Sequence, residues 1–123
     1  MPKILIVDDE KHIRLLYSEE FEEAGYSVAV ASDGRGILER IEKEKPDVVL
    51  LDIKMVDSNG LDVLQDIRNK YYNLPVILCS AYGSYKVDIK SIAADAYVVK
   101  SSDLTELKNK IAQVLEANVP QQK

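Results

Sequence analysis

Five residues of this 123-residue chain have the types and positions to do chemistry together: Asp8, Asp9, Asp52, Ser80 and Lys100. Each closes an apolar run: "ILIV" before the Asp8–Asp9 pair, "VVLL" before Asp52, "VILC" before Ser80 and "YVV" before Lys100. Adjacent carboxylates repel one another and are costly to desolvate beside an apolar core, so the Asp8–Asp9 pair calls for a positive partner. The pattern offers oxygen donors without His or Cys, a set that suits Mg²⁺ or Mn²⁺ better than zinc. Magnesium typically takes one or two carboxylates, keeps waters and binds phosphate oxygens. Lys100 and the Ser80 hydroxyl would hold the remaining oxygens of such a phosphoryl group. One carboxylate could act as a nucleophile and form an acyl phosphate. Asp52, alone at the end of its run, is the best candidate, because the paired acids suit a metal better. A single Asp at a strand end is usually present because a loop begins there. Three acids, a lysine and a hydroxyl in equivalent places call for more.

Those five residues share an edge only if the runs are parallel strands, and the chain reads that way. "KILIV", "SVAVA", "VVLLD", "VILCS" and "AYVVK" alternate with segments of helical period. Ile13, Leu16, Tyr17, Phe21 and Ala24 mark the inner face of a first helix that ends at Gly25. Asp33 is expected to cap a second helix with Ile37 and Ile41 inward. A third runs over about 61–69 with Leu61, Leu64 and Ile67 toward the sheet, after a polar loop "KMVDSNG". Weaker periodicity over 83–94 gives a fourth. Asp103 and Glu106 form a capping-box pattern for a fifth, with Leu104, Leu107, Ile111, Val114 and Leu115 inward. Continuous apolar strands are buried on both faces, as in a parallel sheet between helices, where ligands bind at the carboxyl ends of the strands.

Composition narrows the function classes. The apolar fraction is 46% and the charged fraction 30%, the profile of one folded domain. A net charge of −5 argues against direct nucleic-acid binding. No apolar run approaches a membrane span, and "MPKILIVDDE" lacks the features of a signal peptide, so a cytoplasmic location without membrane insertion is expected. Cys79, the one cysteine, has no partner for a disulfide and reads as a buried thiol. His12 reads as a surface residue.

The constellation resembles the receiver domains of two-component response regulators. The resemblance covers nearly the whole chain and rests on "ILIVDDE", "DVVLLDIKM", "PVILCSAYG" and "AYVVK". It implies a flavodoxin-like α/β fold, (βα)5, with strand order 2-1-3-4-5. The receiver would occupy residues 1–117 and a flexible tail 118–123. It also implies roles. Asp52 is the phosphoacceptor, Asp9 a direct Mg²⁺ ligand, Asp8 a ligand through water, and the Lys54 carbonyl the third protein ligand. Ser80 and Tyr97 are the switch pair and Lys100 holds the phosphate. The donor is a histidine kinase or histidine phosphotransferase, and phosphorylation reshapes the face made by the fourth helix, fifth strand and fifth helix. Such a chain catalyses only its own phosphorylation and dephosphorylation, as a monomer or a phosphorylation-dependent dimer.

Two positions depart from the family pattern. Met55 is followed by Val56 and Lys100 by Ser101, where the family usually has proline. A cis bond before a residue other than proline costs ~2.5–4 kcal/mol, so Lys100–Ser101 is expected to be trans. Lys54 and Tyr82, each two residues beyond a site residue, are candidates for shielding the acyl phosphate from water. The pairing of "DIKM" with "SAYG" resembles sporulation-relay receivers. Two alternatives stand beside a single-domain receiver: a regulatory module from a larger response regulator or kinase, and, remotely, an aspartyl-phosphate phosphatase. The phosphatase needs a second Asp two residues after its nucleophile, and position 54 is Lys. A flavin-binding protein would need a neutral phosphate loop where "VDDEKH" stands.

Overall fold

A computed structural model describes residues 2–53, 55, 59–80, 95–100 and 103–118, the side chains of Ser80, Ala117 and Asn118 aside. Strands β1 (Lys3–Val7), β2 (Ser27–Ala31), β3 (Val48–Asp52), β4 (Val76–Ser80) and β5 (Ala96–Val99) form one parallel sheet in the order β2-β1-β3-β4-β5. Helices α1 (Lys11–Glu23), α2 (Ile37–Glu44), α3 (Gly60–Lys70) and a C-terminal helix (Thr105–Asn118) cover it. The flavodoxin-like order expected from the resemblance is the one found. The expected helix over 83–94, the Lys100–Ser101 bond, and residues Lys54, Val56, Tyr82 and 119–123 lie outside the described residues.

The central strands are apolar throughout because both of their faces are covered. Ile4, Ile6, Val48, Leu50, Ile77, Cys79 and Val98 face one core with Tyr17 and Phe21 of α1 and Leu107 and Ile111 of the C-terminal helix. Leu5, Val7, Val49, Leu51 and Leu78 face the other with Ile37, Ile41, Val63, Leu64 and Ile67. The period-two alternation of the pleat thus sends neighbouring residues of one strand into different cores. On α1 the buried positions are Tyr17 and Phe21, whose rings meet edge to face at 5.9 Å. Leu16 and Ala24, expected inward, are exposed, so the stripe is narrower than its spacing suggested. His12 is exposed, as expected.

The cap of α2 corrects the sequence reading. That helix starts at Ile37 behind Gly36, which adopts φ 68° and supplies no side-chain cap. Asp33 instead closes a tight turn: its Oδ1 accepts the Arg35 amide at 2.9 Å and its Oδ2 pairs with the Arg35 guanidinium. Asp side chains favour such local turns as readily as helix caps, and an arginine two residues on decides between them. At the other end, Asp103 Oδ1 accepts both the Thr105 amide and its hydroxyl, at 3.0 and 2.7 Å.

Candidate phosphoryl and metal site

The carboxyl ends of β1 and β3 bring Asp8, Asp9 and Asp52 together, with one carboxylate oxygen from each lying within 4.8 Å of the others. Asp8 and Asp52 are buried, at 3% and 4% exposure, while Asp9 is half-buried. From the end of β5, Lys100 reaches over them. Its Nζ lies 2.8 Å from Asp8 Oδ2, 3.4 Å from Asp52 Oδ2 and 3.7 Å from Glu10 Oε1. Ser80 ends β4 on the same edge, and its hydroxyl lies outside the described atoms. Tyr97 sits on β5 opposite Leu78, half-buried against the core shared by α2 and α3.

Backbone architecture fixes the two buried acids differently. The Asp8 amide donates to Ala31 O at 3.1 Å, which extends the β1–β2 ladder by one bond. Its carboxylate Oδ1 accepts the Glu10 amide at 2.9 Å, closing the turn into α1. Both Asp8 oxygens are therefore engaged. Asp52 is still within the β3–β4 ladder, opposite Cys79, and the next amide, Ile53, donates to Cys79 O at 3.2 Å.

Electrostatics follow from that burial. The Asp52 carboxyl is pushed up to about 6, first by desolvation and then by the Asp8 charge, with Lys100 pulling the other way. Burial pulls Lys100 down, but the Asp8 hydrogen bond and the charges of Asp8, Asp52 and Glu10 outweigh it and hold the ammonium above its ordinary value. The Cys79 thiol, buried in the core with Tyr17 and Phe21, is pushed up to about 12 by desolvation and stays protonated.

Three aspartates against one lysine leave a formal excess of two negative charges in a largely dry place. Hard oxygen donors with that excess fit one divalent cation of the magnesium type. Asp9, the most exposed of the three, has the best access to it.

Sequence reasoning missed two supports. Arg14 of α1 donates through Nη1 to the Asp8 carbonyl at 2.7 Å, holding the turn that carries both N-terminal acids. Asn59 and Gly60, read as loop, begin α3. Asn59 Oδ1 accepts the Leu61 amide at 2.8 Å, and Gly60 sits directly on the acceptor strand. The Asn-Gly pair just ahead of an apolar period was the available signal.

Known proteins resemble this chain in sequence and in fold. The family model described as response regulator receiver domain matches residues 4–112. This chain belongs to the response regulator receiver family. It is 35% identical over 115 residues to sporulation initiation phosphotransferase F of Bacillus subtilis, covering 92% of this chain and 93% of that protein. Its structure is similar to that of the response regulator TrrA from Thermotoga maritima in complex with Mg²⁺ and BeF, at 43% identity. The TM-score is 0.87, over 93% of this chain and 99% of that one. TrrA has also been crystallised with the histidine kinase ThkA, and that copy matches with a TM-score of 0.86. By contrast, the chain spans 23% of the regulatory protein AtoC of Escherichia coli, at 37% identity. Receivers are signalling modules rather than turnover enzymes, and no helix among the described residues is long and apolar enough to cross a membrane.

Proposed function

We propose that this receiver is a phosphorylation switch whose acceptor is Asp52. A carboxylate oxygen of Asp52 attacks the phosphorus of a phosphohistidine on a histidine kinase or phosphotransferase. The N–P bond breaks, the imidazole leaves, and the phosphoryl group stays on Asp52 as an acyl phosphate. Bound Mg²⁺, held by Asp8, Asp9, Asp52 and the Lys54 carbonyl, would supply charge neutralisation for the incoming phosphoryl oxygens. Lys100, already 3.4 Å from Asp52, turns its ammonium to a phosphoryl oxygen, and the Ser80 hydroxyl donates to another. Ser80 moves toward the new charge of about −2, and Tyr97 follows inward. The face built around β5 and the C-terminal helix is thereby reshaped for a partner protein. Lys54 and Tyr82 shield the acyl phosphate and slow its hydrolysis, so Lys54→Ala with Tyr82→Ala shortens its lifetime. The setting is cytoplasmic.

The observation that carries this reading is the convergence of Asp8, Asp9 and Asp52 beneath Lys100 at one sheet edge. The kinase-bound and Mg²⁺–BeF structures of the relative TrrA support the donor and the ion. The test is labelling with acetyl phosphate and Mg²⁺. Wild type takes up one hydroxylamine-sensitive phosphate per chain and Asp52→Asn takes up none; equal labelling of the two sinks the assignment.

A further inference from the structure

Gly60 opens α3, and its backbone does not need glycine for a left-handed conformation: the positive-φ glycines among the described residues are Gly25 and Gly36. Alanine is the better helix former, so on propensity alone Ala would be preferred at position 60. The neighbourhood forbids it. A Cβ at Gly60 would stand 2.2 Å from the Asp52 carbonyl oxygen, 2.7 Å from Ile53 Cα and 2.9 Å from the Asp52 carbonyl carbon. All three atoms are backbone of the acceptor and its successor, and none can rotate away. The first N–H of a helix has no partner within the helix. Here the Gly60 amide donates it to Ile53 O at 2.7 Å, so the helix start is hooked onto the peptide that follows Asp52. Both Gly60 and Ile53 are buried, so water cannot replace that bond easily.

We infer that Gly60 is a positioning residue for the acceptor: its missing side chain lets α3 seat on the Asp52 main chain and set where the Asp52 carboxylate meets Asp8, Asp9 and Lys100. This deepens the proposed function and rests on Asp52 being the acceptor. A displacement of the Asp52 backbone sufficient to relieve a 2.2 Å contact would carry the carboxylate with it, against an Asp52–Lys100 separation of 3.4 Å. Misplacement on that scale is costly to reactions that depend on orientation.

The test compares Gly60→Ala with Asn59→Ala. The second removes the α3 cap and lowers stability without adding an atom beside Asp52. Labelling by acetyl phosphate and Mg²⁺ affinity by calorimetry are measured at a temperature where circular dichroism shows each chain folded. Gly60→Ala should label at least tenfold more slowly and bind Mg²⁺ at least tenfold more weakly, while Asn59→Ala stays within twofold of wild type. Wild-type behaviour of Gly60→Ala, or an equal fall in both variants, overturns the inference and leaves the acceptor assignment standing. Failure of wild type to label on Asp52 overturns both. Should Gly60→Ala not fold, an amide-to-ester change at residue 60 decides the matter. It deletes the donor to Ile53 O and adds no atom; a severalfold slower labelling supports the role, and an unchanged rate overturns it.

Discussion

Lys100 holds Asp8 more closely than it holds Asp52, at 2.8 against 3.4 Å. One ammonium thus serves two buried carboxylates unequally. Asp8 has its second oxygen on the Glu10 amide, so its position is set from both sides. Asp52 is the acid left with the weaker claim on the cation, and burial pushes its carboxyl up to about 6. The arrangement suits an acceptor, since an oxygen that must form a new bond to phosphorus should not be committed to an existing one.

Removing the shared cation should therefore destabilise the metal-free protein. Lys100→Met strips two nearly dry carboxylates of their counter-charge, a change that typically costs about 3 kcal/mol. The loss should shrink from pH 7.5 to pH 5, because Asp52 loses the group that lowers its pKa and so protonates more readily. Urea denaturation at the two pH values measures it; an equal deficit at both would mean that Lys100 acts through packing alone.

Asp52 itself gives the protein a stability profile of definite sign. Its folded value of about 6 lies above the unfolded value of 3.8, so the folded state binds the extra proton. Ionised Asp52 thus works against folding at neutral pH, by on the order of 3 kcal/mol. That cost is relieved as pH falls through 6 and is gone below about 3.8. Asp52→Asn, neutral throughout, should be more stable than wild type at pH 7.5 without metal. The gap should narrow by pH 5. Thermal melts in chelator at both pH values read this directly, and a gap that does not change with pH would contradict the assigned shift.

Magnesium should narrow that gap. A ligand of the folded state at ten times its dissociation constant adds about 1.4 kcal/mol, enough to raise the melting temperature by a few degrees. Asp9→Asn removes the most accessible donor and should weaken binding at least tenfold, abolishing most of that rise. Isothermal titration with Mg²⁺ gives the affinities; saturable binding of wild-type strength in Asp9→Asn would exclude Asp9 as a ligand.

Much of this could be read from the chain because strands buried on both faces announce themselves as unbroken apolar runs. The polar residue that ends each run is also the residue at the sheet edge. Asp8, Asp52 and Lys100 were legible for that reason, since the order of the strands did not have to be known to place them on one side. What sequence did not reveal depends on partners distant in the chain or on shape. Arg14 is an ordinary helix arginine until Asp8 O is seen in front of it. Gly60 looks like loop until the Asp52 carbonyl is found where its Cβ would be. Asp33 was misread because turn and cap use the same side-chain chemistry.

Arg68 offers a test of whether stability and site are separable. It lies in the last turn of α3 with its side chain 12% exposed. Its Nη1 donates to Leu74 O and its Nη2 to Asp95 Oδ2, the latter at 2.6 Å. The same Asp95 oxygen accepts the Val76 amide at 2.8 Å, and the Asp95 amide donates to Val76 O. One guanidinium thereby joins α3 to the starts of β4 and β5, at the end of the sheet opposite the acceptor. Arg68→Ala removes charge-assisted bonds and leaves the Leu74 carbonyl without that donor, for a loss of about 2 kcal/mol. Arg68→Lys should recover less than half of it, because one ammonium cannot reproduce the planar fork. Lys70→Ala, which breaks the exposed pair with Glu42 two residues along, should leave the urea midpoint unmoved. Acetyl phosphate labelling and Mg²⁺ affinity should stay at wild-type values in all three variants. A labelling defect in Arg68→Ala under folded conditions would show that the two ends of the sheet are coupled.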